Sequence, residues 1–150
     1  MNDNNALFEI SLKVIIRNNK GEVLLLKQSK EYNKYGGIDI PGGRINDDEL
    51  KQDILKLIER EIKEELGPDI KYKLNNKIKC ISIMPLKTKD KGERDGVFYL
   101  LYEAKYISGK IQLSWEHNSY IWKKLTKNDV KNFVKIYHNL MNKYINSLCA

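Results

Sequence analysis

Pro41-Gly42-Gly43-Arg44-Ile45-Asn46-Asp47-Asp48-Glu49, followed after ten intervening residues by Arg60-Glu61-Ile62-Lys63-Glu64-Glu65-Leu66-Gly67, is the stretch on which the reading of this chain turns. Pro41-Gly42-Gly43 is a strong chain break, and glycine there permits positive φ and close approach of the backbone to a ligand. Past it, Leu50, Ile54, Ile58, Ile62 and Leu66 recur every four residues, with Leu55 and Leu57 widening the stripe. That is the period of an amphipathic helix. Asn46 and Glu49 have the spacing of a capping box and Gly67-Pro68 is a stop signal, so a helix is predicted to open at Asn46 and close at Gly67.

The end of that helix is unusual. Spacings of three and four gather Glu61, Glu64 and Glu65 on one face, where they repel one another. They also lie near a helix C-terminus, where the macrodipole disfavours negative charge. Arg60 and Lys63 offset part of this. A hard divalent cation offsets more, because Mg²⁺ prefers carboxylate and water oxygens and shares its remaining positions with substrate phosphates. A solvated charged face with intrahelical ion pairs is the alternative reading of the triplet.

Outward from this segment, Phe8–Arg17 reads as a strand, Asn18-Asn19-Lys20-Gly21 as a turn and Glu22–Lys27 as the returning strand, a predicted hairpin. Ser29–Gly37 is a polar loop carrying Tyr32 and Tyr35. Strands are predicted at Ile78–Met84 and Val97–Ile107, with Lys87–Gly96 a charged loop between them. The turn Ser108-Gly109-Lys110 implies a second hairpin over Lys105–Leu113. From Thr126 the pattern is helical, through Val130, Phe133, Val134, Tyr137, Leu140, Met141, Tyr144, Ile145 and Leu148, with Thr126 and Asp129 at cap spacing. No internal repeat, linker or low-complexity segment interrupts the chain.

The 150 residues, 41% hydrophobic and 31% charged, are expected to form one domain spanning 1–150 that folds without a disulfide or structural metal. The longest apolar stretches, such as Val97–Tyr102, are far short of the ~20 residues that span a bilayer. The first residues, Met1-Asn2-Asp3-Asn4-Asn5, do not read as a signal peptide. Cys80 and Cys149 are the two cysteines, too few for a disulfide framework, and a cytoplasmic location is expected. The net charge of +7 is nearly all lysine, with Arg17, Arg44, Arg60 and Arg94 the four arginines. Abundant Lys, Asn and Ile point to an AT-rich genome as its simplest source. A positive field concentrates anionic ligands without telling nucleotides from RNA.

The central stretch resembles the Nudix box, G-x5-E-x7-R-E-U-x-E-E-x-G-U with U aliphatic. Gly43 and Glu49 match the opening spacing, and Arg60, Glu61, Ile62, Glu64, Glu65 and Gly67 match the closing half. There are two departures: ten residues, not seven, separate Glu49 from Arg60, and Pro68 replaces the final aliphatic residue. Three residues add nearly one turn (~4.5 Å), so a longer helix is expected to keep its buried face in register. Glu49 then reads either as the box residue or as a cap. Farther on, Trp115-Glu116-His117-Asn118-Ser119-Tyr120-Ile121-Trp122 is similar to a Nudix stretch in which an acidic residue before a tryptophan joins the metal site; Glu116 holds that position.

The resemblance implies an α+β fold, an α/β/α sandwich around a mixed sheet. It implies hydrolysis of a nucleoside diphosphate linked to another group, with Glu61, Glu64, Glu65 and Glu116 holding Mg²⁺, or Mn²⁺ as the alternative ion. It makes Glu61 or Glu116 the base, Arg60 the residue that orients a box glutamate, and Gly42, Gly43 and Arg44 the phosphate contacts. Pro85, downstream of the box, lies near a proline position of ADP-ribose hydrolases in the family, which leaves ADP-ribose level with nucleoside triphosphates. The expected partner is a small nucleotide, with no membrane and no nucleic acid, and a homodimer stays open. A nucleotide sensor without turnover and an RNA-binding basic protein are the rival readings.

Among the remaining candidates, His117 reads as a surface histidine within reach of phosphate, and Tyr32, Tyr35 and Trp115 as packing residues or a base-stacking platform. Glu93-Arg94-Asp95 reads as a solvated charge run, Cys80 as a small packing residue, and Asn33–Gly36 and Lys71–Lys79 as basic-aromatic stretches. If the lysines serve encounter and not specificity, raising salt from low to physiological levels slows substrate capture modestly, by screening over ~8–10 Å. The preferred nucleotide stays the same, which kinetics on a nucleotide panel at two ionic strengths will check.

Overall fold

The computed structural model describes residues 4–86 and 94–148 of the chain. Its centre is β1 (Phe8–Arg17), which runs parallel to β7 (Gly96–Ser108) along its whole length, from Phe8 opposite Gly96 to Arg17 opposite Lys105. The hairpin from β1 to β2 (Val23–Gln28) forms as read, but the two strands touch through one rung, Arg17 opposite Val23, and then diverge. The segment of β3 (Ile38–Asp39) and β4 (Gly42–Arg44) is wedged between them. β3 pairs with Leu26 and Lys27 of β2, while β4 pairs with Ser11–Lys13 of β1.

β8 (His117–Lys123) covers the far edge of β2. The far edge of β7 is shared by β5 (Lys71–Leu74) and β6 (Cys80–Pro85), all antiparallel. The result is one mixed, eight-stranded sheet.

Both faces of the sheet are covered, which is why β1 is buried almost continuously instead of alternating. Leu12, Val14, Ile16, Leu24, Leu26, Tyr102 and Ala104 meet Leu57, Ile58, Ile62 and Leu66 of α1 (Ile54–Leu66). Ile15, Leu25, Val97, Tyr99 and Leu101 face the other way, onto Leu140, Met141, Tyr144 and Ile145 of α2 (His138–Leu148). This is the α/β/α sandwich expected from the sequence. Among the described residues no helix is long and apolar enough to cross a membrane.

Three boundaries differ from the sequence reading. The box helix does not begin at Asn46: Asp47–Glu49 form a 3₁₀ turn, the chain breaks, and Asp53 caps α1 through bonds from Leu55 N (2.9 Å) and Lys56 N (3.3 Å). Leu50, placed in the buried stripe by its spacing, is 72% exposed. The second hairpin over Lys105–Leu113 is absent. The chain after β7 spends its amides on the end of α1 instead, Gln112 N–H donating to the Leu66 carbonyl (2.8 Å) and Ser114 N–H to the Glu65 carbonyl (3.1 Å).

The C-terminal helix begins only at His138. The Thr126–Asp129 cap is real, with Thr126 N–H donating to the Asp129 carboxylate (2.8 Å), but it opens 3₁₀ turns at Lys127–Asn132 and Lys135–Tyr137. Of the charged loop read over Lys87–Gly96, residues 87–93, including Glu93, lie outside the described residues, as does Cys149.

The wedge depends on one glycine. Gly42 has φ +133°, and a Cβ there would sit 2.0 Å from the Leu12 carbonyl oxygen and 2.8 Å from Lys13 Cα. Backbone strain of ~1–3 kcal/mol at ~2–4 °C per kcal/mol predicts that Gly42→Ala lowers the melting temperature by roughly 2–12 °C. A thermal melt of the variant beside the parent checks this.

Candidate active site

Where β1 and β2 part, a buried polar network fills the gap. Lys13 interrupts an apolar strand, and its ammonium, 5% exposed, reaches across the wedge to Asp39 Oδ1 (3.2 Å) and the carbonyls of Ile40 (3.1 Å) and Gly42 (3.1 Å). It also lies over the Tyr137 ring, 4.9 Å from the centroid. Burial alone would lower the Lys13 pKa, but the Asp39 charge and its neighbours lift it well above the usual lysine value. Asp39 is the complement: burial would raise it, yet Lys13, His117 and Gln28 hold it at about 2. Its Oδ2 accepts from Gln28 Nε2 (3.1 Å) and meets His117 Nε2 (3.2 Å).

Glu65 enters from α1. Its carboxylate accepts the Gly42 N–H (2.9 Å), so the Gly-rich turn is tied directly to the glutamate helix. Burial, only partly offset by Lys13 and aggravated by Asp39, pushes the Glu65 pKa up to about 8. The chain from β7 to β8 brings Glu116 to the same place. Its course is fixed by the Ser114 bond to α1, by Ser29 N–H donating to the Glu116 carbonyl (2.7 Å) and by Ser29 Oγ donating to the Trp115 carbonyl (2.8 Å). Carboxylate oxygens of Glu65 and Glu116 and a ring nitrogen of His117 consequently lie within 4.8 Å of one another. Two carboxylates and an imidazole, one of the carboxylates driven up in pKa by burial, are a donor set that fits a divalent cation.

The other glutamates are gathered differently. Arg60 pairs with Glu49 Oε1 (2.6 Å), Glu61 Oε1 (2.9 Å) and Glu64 Oε2 (3.0 Å), and those charges raise its pKa against the effect of burial. Glu49 is the cap the sequence allowed, its Oε2 accepting the Asn46 N–H (2.9 Å), and its other oxygen is the one paired with Arg60. Glu61 lies against the turn: a Cβ on Gly43 would fall 2.6 Å from its Oε1, so glycine is what admits the carboxylate. Burial raises the Glu61 pKa, with Arg60 working against it. Glu64 is exposed and bound to Arg60 by both oxygens. Glu65 and Glu116 thus converge at one point, and Glu61 and Glu64 are turned toward Arg60.

Arg44 sits exposed in a salt bridge with Glu9 (2.7 Å), lining a cleft with Leu7, Ile10, Leu50 and Arg94. Tyr32 and Trp115, both exposed, pack edge to face (5.7 Å between ring centres) on the segment that carries Glu116. Tyr35 is more exposed still.

Sequence reasoning missed Lys13 and Asp39 and misplaced His117, which is buried, with 4% of its surface accessible. The available signal was a lysine inside Ser11–Ile16 and an aspartate between two isoleucines, charged residues where strands carry apolar ones.

A search of curated protein sequences finds no match to this chain. Solved structures do match. A MutT protein from Methanosarcina mazei Go1 has a TM-score of 0.67 at 21% identity, covering 97% of this chain and 98% of that one. An Ap4A hydrolase from C. elegans, solved as a binary complex, has a TM-score of 0.60 at 22% identity over 95% and 98% of the two chains. The NUDIX domain of Shewanella oneidensis NrtR, complexed with ADP ribose, has a TM-score of 0.63 at 13% identity over 97% and 90%. These likenesses establish the fold. The profile of the NUDIX domain matches residues 8–142, nearly the whole sandwich with its glycine turn, glutamate helix and wedge, and the chain therefore belongs to the Nudix hydrolase family.

Proposed function

We propose that this protein hydrolyses a pyrophosphate bond in a nucleoside diphosphate linked to another group, using Mg²⁺ or Mn²⁺ held at Glu65 and Glu116 with Glu61 and Glu64 alongside. The observation that carries the reading is the convergence of Glu116, from a distant part of the chain, on Glu65 at the Gly42-Gly43 turn. When bound, the ion neutralises pyrophosphate oxygens and lowers the barrier to water attack at phosphorus.

The chain's own groups do the rest. Gly43 leaves room for the Glu61 carboxylate against the turn, and the turn's backbone is the part assigned to contact a substrate phosphate. Arg60 is a positioning residue that holds Glu61 and Glu64 by ion pairs, so that with Glu65 three carboxylates coexist on one short helical segment. Glu61, whose pKa burial raises, and Glu116, which lies beside Glu65, are the two groups assigned to accept the proton of the attacking water. Arg44, two residues past Gly42 and paired with Glu9, is the arginine assigned to a substrate phosphate, and the Tyr32–Trp115 pair offers a face for a base.

The relatives' substrates, Ap4A and ADP ribose among them, define the panel that tests the reading. Phosphate or nucleotide release from nucleoside triphosphates, dinucleoside polyphosphates and ADP-ribose, with and without the ion, is expected for at least one class and only with the ion. Tight nucleotide binding with no release on any member would make the protein a sensor instead.

Two substitutions test the glutamates. Glu116→Gln is expected to lower kcat and raise the ion concentration needed for half activity with the fold intact; unchanged kinetics would remove Glu116 from the site. Glu65→Gln is expected to cost roughly 10²-fold or more in turnover, the scale seen when a charge-stabilising group leaves an active site. The ion-free protein has a further signature. The folded Glu65 pKa, about 8, lies above its ordinary value of 4.5, so its stabilising contribution is complete below pH 4.5 and is lost as pH rises toward 8. Between those limits the ion-free parent should fall in melting temperature relative to Glu65→Gln, and adding the ion should reverse the order. Melts at three pH values decide it.

A further inference from the structure

The buried imidazole of His117 has one nitrogen accounted for and one left over. Asp39 is a saturated acceptor: Oδ1 takes Lys13 Nζ (3.2 Å) and the Ile40 N–H (2.7 Å), and Oδ2 takes Gln28 Nε2 (3.1 Å) and faces His117 Nε2 (3.2 Å). Gln28 is oriented as a donor, because its Oε1 already accepts from Asn33 Nδ2 (2.7 Å). An ionised acceptor with those neighbours requires the hydrogen of the imidazole to sit on Nε2. In the neutral ring, the form that binds metals, Nδ1 then carries the lone pair. It is buried and has no hydrogen-bond partner, in a side chain with no exposed surface, and the imidazole it belongs to brings a ring nitrogen within 4.8 Å of carboxylate oxygens of Glu65 and Glu116.

An unpartnered buried acceptor is costly. A carboxylate that fixes one ring nitrogen and leaves the other unpartnered, in an imidazole set beside two further carboxylates, is the outer half of a carboxylate–histidine–metal arrangement. We propose that His117 supplies a nitrogen ligand, through Nδ1, to the divalent ion held by Glu65 and Glu116, so that this position selects Mn²⁺ and related transition ions over Mg²⁺. The preference follows from the donors: Mg²⁺ favours an all-oxygen shell, whereas first-row transition ions take imidazole with carboxylate readily. The proposal rests on the metal reading above, and adds to it which element occupies the position and why.

The test uses the whole chain with Mn²⁺ alone as probe. Pulsed electron paramagnetic resonance of the Mn²⁺-loaded protein should show coupling to imidazole ¹⁴N. Competition between Mn²⁺ and Mg²⁺ should favour Mn²⁺. His117→Gln, checked for folding by circular dichroism, should lose the nitrogen coupling and bind Mn²⁺ roughly tenfold or more weakly, with Mg²⁺ binding changed less than about twofold. If the variant does not fold, the coupling and the competition on the parent protein decide alone. Mn²⁺ bound at Glu65 and Glu116 without nitrogen coupling overturns the histidine ligand and leaves the glutamate reading standing. Failure of Mn²⁺ and Mg²⁺ alike to bind the parent protein, with or without nucleotide, overturns both.

Discussion

The buried ammonium of Lys13 is the interaction on which the rest of this structure depends. Taking such a charge out of water costs several kcal/mol, and the cost is recovered only if every donor finds a partner in good geometry. Here the three donors go to the Asp39 carboxylate and the Ile40 and Gly42 carbonyls, all on the segment wedged between β1 and β2. The lysine therefore does what a β1–β2 ladder would otherwise do: it pins the two diverging strands to a common filler. Removing one partner of such a pair is far worse than replacing both by apolar groups, at ~3–5 kcal/mol, because a lone charge stays buried. From Asp39 the order passes to His117 at the head of β8, and from Gly42 to Glu65 on α1. One cation thus sets the relative positions of three segments that are far apart in sequence.

The glutamates are arranged so that their repulsion is divided. Arg60 collects Glu49, Glu61 and Glu64 around one guanidinium, partly exposed, where the attraction is moderated by water. Glu65 is excluded from that cluster by the helical turn it occupies and faces the sheet, where its compensation is a backbone amide and the more distant Lys13 charge. That compensation is incomplete, which is why burial wins and its pKa rises. Glu65 is thereby left short of positive charge next to Glu116 and the imidazole of His117, a set of donors whose chemistry fits a cation.

What was legible in the sequence followed from how local the determinants are. The closing half of the box could be read because its chemistry lies in eight consecutive residues, Arg60–Gly67. The apolar run Val23–Leu26 could be read as a strand, while the two covered faces of the sheet came only from the family resemblance that the box carries. The start of α1 was misread because Leu50 falls on the four-residue period by coincidence, and two cap signals, Asn46 with Glu49 and Asp53, compete within one short stretch. The false hairpin at Lys105–Leu113 has the same origin: a good turn at Ser108–Lys110 is followed by residues whose amides satisfy a helix end instead of a neighbouring strand. Lys13, Asp39 and His117 were illegible for a deeper reason. Each looks like a break in a pattern, and only the three-dimensional meeting of the three turns separate anomalies into one network.

The same division explains how the box tolerates its three extra residues. Had they lengthened α1 at its start as a continuous helix, Glu49 would have moved by nearly a turn relative to Arg60. Instead the helix is capped afresh at Asp53, and the preceding residues form a 3₁₀ turn and a break that return the chain toward the helix. Glu49 ends 2.6 Å from Arg60 and is still bonded to the Asn46 amide, so one carboxylate closes the loop at both ends. The added residues lie at the surface, with Leu50 turned to solvent in the cleft that Arg44 also lines, while Glu61 meets Gly43 and Glu65 meets Gly42. With ten residues between them, Arg60 and Glu49 still meet, and that contact ties the turn before the helix to the helix itself.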